Sequence, residues 1–306
     1  MFKNDNKFIQ FELWKDCSIG CKFCCNKGQP KINKMESIQY VMDILNSDEV
    51  NDYNEVGFIG GEFFNGEIES VKDDFYKIFE KVASLNFDKI YITAALMYDL
   101  NKSLIPFLHY LEGLGIIDKV MICSSFDTIY RFKTNEEKEL WKSNMKLLKK
   151  LFPSIILHTE IILTEAFMET VLNEEFKIND FRNYFDCGLD FIEPSSGLFY
   201  KDKEIASKDL PLFFPKKTTF LKFLRKVSIE NNWINLDTLL SMELRSNKLY
   251  FIANGQRLVA DNRRNGDGKC PIPNSTVKYD TGFIDSDLPM REVILNFKEM
   301  FTNQDL

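Results

Sequence analysis

Residues 8–25 read FIQFELWKDCSIGCKFCC, and this stretch decides the fold. Phe8–Trp14 is short, apolar and aromatic, with polar residues on either side, which is the composition of a strand. Cys17, Cys21, Cys24 and Cys25 come directly after it, four of the seven cysteines in the chain. A strand that runs directly into a ligand-rich loop is the arrangement of a parallel α/β sheet. Such sheets keep their chemistry in loops at the C-terminal ends of the strands.

Outward from there the chain alternates in the rhythm this requires. Ser37–Leu45 carries Ile38, Val41, Met42 and Leu45 at helical spacing. Glu55–Gly60 reads as a strand, Ile68–Leu85 as a helix, Lys89–Leu96 as a strand and Leu104–Leu114 as a helix ending near Gly115. Lys119–Cys123 is a strand, Glu136–Leu151 a helix stopped by Pro153, and Ile155–Leu163 a strand. Thr164 is placed to cap the next segment, a connection with two helical pieces that reaches about Phe185. Leu189–Glu193 is the sixth strand, and Lys217–Glu230 the helix after it.

Six βα units imply parallel strands joined by right-handed crossovers. They are fewer than a closed eight-unit barrel needs, so the expected fold is α/β, a partial (β/α)6 TIM-like barrel. The rhythm breaks near Asn232. Lys248–Ile252 and Gln256–Ala260, split by Asn254-Gly255, read as a hairpin, and Met290–Met300 as a last helix. The expected organisation is a barrel core over 1–232 and a small α+β extension over 233–306 that covers the barrel or the substrate site.

The composition is that of a globular chain of 306 residues, with 44% hydrophobic and 28% charged residues. There is no apolar run of membrane-spanning length and no basic-then-apolar leader, so the expectation is a cytoplasmic protein without membrane contact. A net charge of −7 does not favour nucleic acid as a partner. Lys216, Lys217, Lys222, Arg225 and Lys226 gather on one predicted helix and read as its solvated face.

Seven cysteines, clustered, do not make a disulfide scaffold in a chain of this length. Thiolates are the usual ligands of iron–sulfur cubes. The spacings in Cys17-Ser-Ile-Gly-Cys21-Lys-Phe-Cys24 let one compact loop wrap around a cube, leaving one iron without a protein ligand. Cys25 is a poor fourth ligand, because successive side chains generally point in different directions. Other readings of the same cysteines remain open. Structural zinc takes four Cys or His ligands, and the two histidines, His109 and His158, form no zinc-type pair. A redox Cys21-x-x-Cys24 leaves Cys17 without a role. Chance clustering of buried thiols is the third.

The segment resembles the Cys-x3-Cys-x2-Cys signature of the radical S-adenosylmethionine superfamily, with the aromatic Phe23 ahead of the third cysteine. The resemblance covers about residues 8 to 230. It implies a [4Fe–4S] cluster on Cys17, Cys21 and Cys24, and S-adenosylmethionine as cofactor, with the Phe23 backbone near its adenine. Gly60-Gly61-Glu62 after the second strand resembles the family's Gly-Gly-Glu, which implies that these residues hold the cofactor's amino group. Ser125 and Asp127, in Ser124-Ser125-Phe126-Asp127, resemble a Ser-x-Asp that meets the ribose or carboxylate. Asp127 also reads as a turn or capping residue. Arg131 is a weaker candidate for the carboxylate, and reads better as a surface or salt-bridge residue.

The implied activity is reductive cleavage of the cofactor to a 5′-deoxyadenosyl radical, which abstracts hydrogen from a peptide, protein, nucleotide or other small molecule. A flavodoxin- or ferredoxin-type protein would supply the electron. The alternative is a non-catalytic zinc or iron–sulfur partner module.

Further positions are open. His158 and Glu160 share one face of a strand, either lining the lumen or forming a satisfied polar pair in the core. Glu193, Pro194, Ser195 and Ser196 sit where the sixth strand would touch adenosyl group or substrate. Cys270 lies in a loop that could reach over the site, while Cys123 and Cys187 read as packing residues. Only Cys270 lies beyond residue 187, so the auxiliary cluster domain of many peptide-modifying relatives is not expected.

Overall fold

The computed structural model describes residues 8–21, 33–127, 130–192 and 215–230, the backbone of 248–253 and 256–261, and positions 286, 293, 296 and 297. The chain alternates strand and helix: β1 Phe8–Glu12, α1 Lys34–Leu45, β2 Glu55–Ile59, α2 Lys72–Ala83, β3 Lys89–Thr93, α3 Leu104–Gly113, β4 Val120–Phe126 and α4 Asn135–Leu151. β5 Ile156–Ile162, α5 Glu165–Leu172, α6 Ile178–Phe185, β6 Gly188–Ile192 and α7 Lys217–Glu230 complete the six units.

The strands lie side by side in chain order and all six are parallel. This is the open α/β sheet that the sequence predicts. The expected hairpin is β7 Lys248–Ala253 and β8 Gln256–Asp261. It continues the sheet: β7 lies parallel to β1 on the side away from β2, and β8 returns antiparallel at the edge. Of the last expected helix, Val293, Asn296 and Phe297 are described and helical, with Val293 and Phe297 buried.

Alternation along the strands separates two faces. One carries Phe11, Phe58, Ile92, Ile122 and Leu157 in successive register. All five are buried. Helices cover this face through aromatic side chains, a large share of which are among the 28 phenylalanines of the chain. Phe58 meets Phe79 of α2 at 4.8 Å between ring centroids, and Phe126 meets Trp141 of α4 at 5.0 Å. Phe191 meets Phe223 of α7 at 5.6 Å. Among the described residues of α7, Phe220, Phe223, Leu224 and Val227 are buried and Lys222 and Arg225 are exposed, as expected of a solvated basic face, whereas Lys226 is largely covered and pairs with Glu174 at 3.3 Å.

The other face is polar. Ser125, Glu160 and Asp190 stand beside one another across β4, β5 and β6, and Cys123 and His158 one step behind them.

Local capping fixes where helices begin. Asn33 accepts from the backbone N–H groups of Met35 and Glu36, and Thr134 from Glu137. Thr164 caps α5 as expected, its hydroxyl accepting from Phe167 N–H at 3.1 Å. Thr164 is fully buried. Thr164→Ala should therefore cost about 1–2 kcal/mol, read as a lower urea midpoint at unchanged slope. Among the described residues, no helix is long and apolar enough to cross a membrane.

Candidate functional site

The loops after β1, β2, β3 and β4 meet at the C-terminal edge of the sheet. β1 and β2 stay paired past their ends: Leu13 N–H donates to Ile59 at 3.0 Å, Gly61 N–H to the Trp14 carbonyl at 2.6 Å, and Glu62 N–H to the Asp16 carbonyl at 3.1 Å. The two backbones touch so closely that side chains are excluded. A Cβ on Gly60, whose φ is +151°, would lie 2.2 Å from the Trp14 carbonyl oxygen, and one on Gly61 would lie 1.8 Å from that of Asp16. The glycine pair thus does something the sequence did not reveal. It lets the second loop press against the residues leading into Cys17. Asn65 adds a side-chain bond to Ser18 Oγ at 2.7 Å.

This contact delivers Glu62 to the interior, where it is 2% exposed. One carboxylate oxygen accepts from Phe64 N–H at 2.9 Å and the other from Ala95 N–H. Burial raises its pKa, opposed by those two N–H groups and by the positive charge of Arg131. The Tyr98 hydroxyl lies beside it without closing a hydrogen bond of full geometry. Burial and the Glu62 charge push the Tyr98 phenol well above its ordinary value. The loop that supplies Ala95 and Tyr98 is held from α4, where the Asn144 amide donates to the carbonyls of Leu96 at 3.0 Å and Tyr98 at 2.8 Å.

Cys17 reaches solvent and Cys21 is buried. Protein surrounds much of the Cys17 thiol, and that partial desolvation raises its pKa, as do the charges of Glu62 and Cys21. The backbone N–H groups of Ile19 and Gly20 pull the other way. Arg131 donates from Nη1 to Cys21 Sγ at 3.3 Å and from Nη2 to the Ala95 carbonyl at 3.2 Å. At 7% exposure it is neither a surface residue nor a salt-bridge residue of the periphery, which corrects the sequence reading. Its anchor is the neighbouring Phe132, packed on Phe126 and Trp141, a tertiary contact that no local pattern announces.

Ser125 and Asp127 part company. Ser124 faces α4, accepting from Trp141 Nε1 at 2.9 Å, so Ser125 faces the polar side of the sheet. Asp127 is 1% exposed and accepts from Tyr130 N–H, the turn role that the sequence left open for it. His158 lies against Asp190, with Nε2 3.0 Å from Oδ2 but without the geometry of a full hydrogen bond, and both are buried. Asp190 was missed in the sequence, although a carboxylate between Leu189 and Phe191 of a strand marks a polar face. Tyr98 left no comparable signal. Cys123 and Cys187 are buried, as packing residues are. Phe23, Cys24, Cys25, Glu193, Pro194, Ser195, Ser196 and Cys270 lie outside the described residues.

Glu12 stands on the polar face, 6% exposed, with Lys15 Nζ 3.8 Å away. Burial raises its pKa above the ordinary 4.5, and Lys15 offsets part of this. The folded state therefore binds this proton more tightly than the unfolded state, and the stability so gained is lost as pH rises through the folded pKa. Glu12→Gln removes the titration. Its stability relative to the parent chain should rise between about pH 4 and about pH 7, measured by urea unfolding at each.

As a donor set, the site fits an iron–sulfur cube in chemistry: two thiols in one loop, a buried cation against one of them, and polar groups around. Among the described residues, no three metal-ligating side chains come together, and Cys24, the third cysteine, is outside them.

No family model and no curated protein matches the sequence. Solved structures do match the fold. That of anSMEcpe, a radical SAM enzyme, with bound AdoMet and the Cp18Cys peptide aligns with a TM-score of 0.51 at 14% identity, covering 96% of this chain and 81% of that one. The same protein with AdoMet and the Kp18Cys peptide gives 0.50 at 14% identity, covering 80% and 63%. Its polyhistidine-tagged form with AdoMet gives 0.49 at 14% identity, covering 80% of this chain. The chain spans 61% of the length of that tagged form. The chain therefore shares its open α/β fold with anSMEcpe.

Proposed function

We propose that this chain is a radical S-adenosylmethionine enzyme, with a [4Fe–4S] cluster on Cys17, Cys21 and Cys24. The observation that carries the reading is the junction of the first two βα loops, where a glycine pair presses Glu62 against the loop of Cys17 and Cys21. When bound, such a cluster supplies one electron to the sulfonium of the cofactor and so generates the radical.

The chain's own residues bind and orient. In this reading Phe23, Gly60, Gly61, Glu62, Ser125 and Asp127 line the cofactor. Glu62 and Asp127 also hold the loops around it, through Phe64 and Ala95 and through Tyr130. The polar row of Ser125, Glu160 and Asp190 offers hydrogen bonds to a substrate in the open barrel. Residues 1–232 form the core. We read 233–306 as the extension that closes over the site and excludes water, with the β7–β8 hairpin as its junction with the core. Flavodoxin- or ferredoxin-type proteins are the expected electron donors. The peptides bound to anSMEcpe make a peptide or protein the first substrate class to test.

Anaerobic reconstitution with iron and sulfide tests this. The expected result is a brown protein with an S-adenosylmethionine-sensitive EPR signal when reduced, releasing 5′-deoxyadenosine. Zinc without iron, or a loaded cluster indifferent to the cofactor, would instead establish a non-catalytic partner module.

A further inference from the structure

Arg131 is a buried cation with an unusual set of partners. Nη1 donates to Cys21 Sγ and Nη2 to the Ala95 carbonyl, while Nε has no hydrogen-bond partner among the described residues. The buried carboxylate Glu62 feels its charge but spends both oxygens on backbone N–H groups. Ala95 thus bridges the two, its N–H on Glu62 and its carbonyl on Arg131. A guanidinium removed from water needs compensating charge and hydrogen-bond acceptors close by, because the loss of its hydration is large. Glu62 supplies the charge, and the Cys21 sulfur is the acceptor that Nη1 meets directly.

We propose that Arg131 sets the redox poise of the centre by charge-assisted N–H···S bonding to Cys21, favouring the state that holds the extra electron. Hydrogen bonds to the sulfurs and nearby charge are among the terms that fix iron–sulfur potentials. One electron enters from a flavodoxin- or ferredoxin-type donor; no bond breaks and no proton moves. The added negative charge is worth more beside a buried cation than in water. Lys133 also lies at this loop, its Nζ 3.4 Å from where a Cβ on Gly20 would stand. Lys133 is solvent-exposed, so screening leaves it a small effect and makes it a control.

The proposal rests on the reading of Cys17, Cys21 and Cys24 as cluster ligands. The test is an EPR-monitored redox titration of the reconstituted chain without S-adenosylmethionine, so that contacts to the cofactor play no part. Arg131→Met should lower the reduced-to-oxidised ratio at fixed poise about tenfold, which is 59 mV for a one-electron couple. Arg131→Lys should recover part of this, and Lys133→Met should change little. If Arg131→Met does not load iron, Arg131→Gln is read in its place. Loading lost in both neutral variants but kept in Arg131→Lys supports the same role of charge. Wild-type potential in a loaded neutral variant overturns the proposal, even if cofactor binding weakens. So does loss of loading in all three Arg131 variants. A parent chain that takes up no iron would defeat the cluster reading itself, a separate outcome.

Discussion

Replacing Cys17, Cys21 or Cys24 singly with alanine should take iron from a full cluster to background and abolish 5′-deoxyadenosine release. The three thiolates act as one unit, since a cube with only two protein ligands is poorly held and open to solvent. Intermediate loading with normal activity is therefore not expected from any of them. Cys25→Ala is the internal comparison, because adjacent side chains point apart and Cys25 has no part in the proposed ligand set. Its iron content should stay near that of the parent. Cys123→Ala and Cys187→Ala should keep the iron and lose only a modest amount of stability, since both side chains are buried and neither belongs to the proposed ligand set. Iron content and EPR of the as-reconstituted proteins decide the matter. Full loading in any of the three ligand variants would remove that residue from the set.

Gly61→Ala should destabilise the chain by roughly 3 kcal/mol or more, and should also reduce cluster loading. The added methyl would stand 1.8 Å from the carbonyl oxygen of Asp16, a backbone atom that cannot swing aside. Relief requires β1 and β2 to part beyond their paired ends, breaking the 2.6 Å bond from Gly61 to Trp14 and the 3.1 Å bond from Glu62 to Asp16. Both effects come from one displacement, because the same contact holds Glu62 next to Cys17. Gly113→Ala is the matched control. It sits at the end of α3 with open space where its Cβ would be, so alanine there should be neutral or slightly stabilising through helix propensity. Urea midpoints and iron content of the two variants, measured together, test the pairing of fold and site.

The helices and strands were legible because their signals are local. Ile38, Val41 and Leu45 are buried along α1 as their spacing implies, and Phe75, Ile78, Phe79 and Val82 along α2. The expected helix over Ile68–Leu85 is shorter in the structure. Residues Glu69–Val71 form a tight 3-10 turn before α2 begins at Lys72. The apolar stripe continues through both, so spacing alone does not mark the change. Thr164 was readable as a cap because capping depends on one side chain and the next turn.

The site was legible only as a set of addresses. Cysteine spacing and the glycine pair each mark a loop, and the βα rhythm puts those loops on one edge. What passes between loops is a matter of distance across the fold. Arg131 lies 110 residues from Cys21, and the sequence around it looks like an ordinary surface turn. His158 and Asp190 pair because β5 and β6 are neighbours, whereas in the sequence the nearer carboxylate, Glu160, looked the natural companion.

By itself, then, the order of residues determined the alternation of strand and helix, the open parallel sheet and the loop that carries the thiols. Periodicity, capping and spacing are properties of a few consecutive residues, and they survive without knowledge of the fold. Only the tertiary structure decided which charge faces which sulfur, why two successive residues must lack side chains, and where Glu62 spends its oxygens. Those depend on burial and on backbone contacts between loops distant in sequence, and a low-dielectric interior makes them strong only once the chain has closed around them.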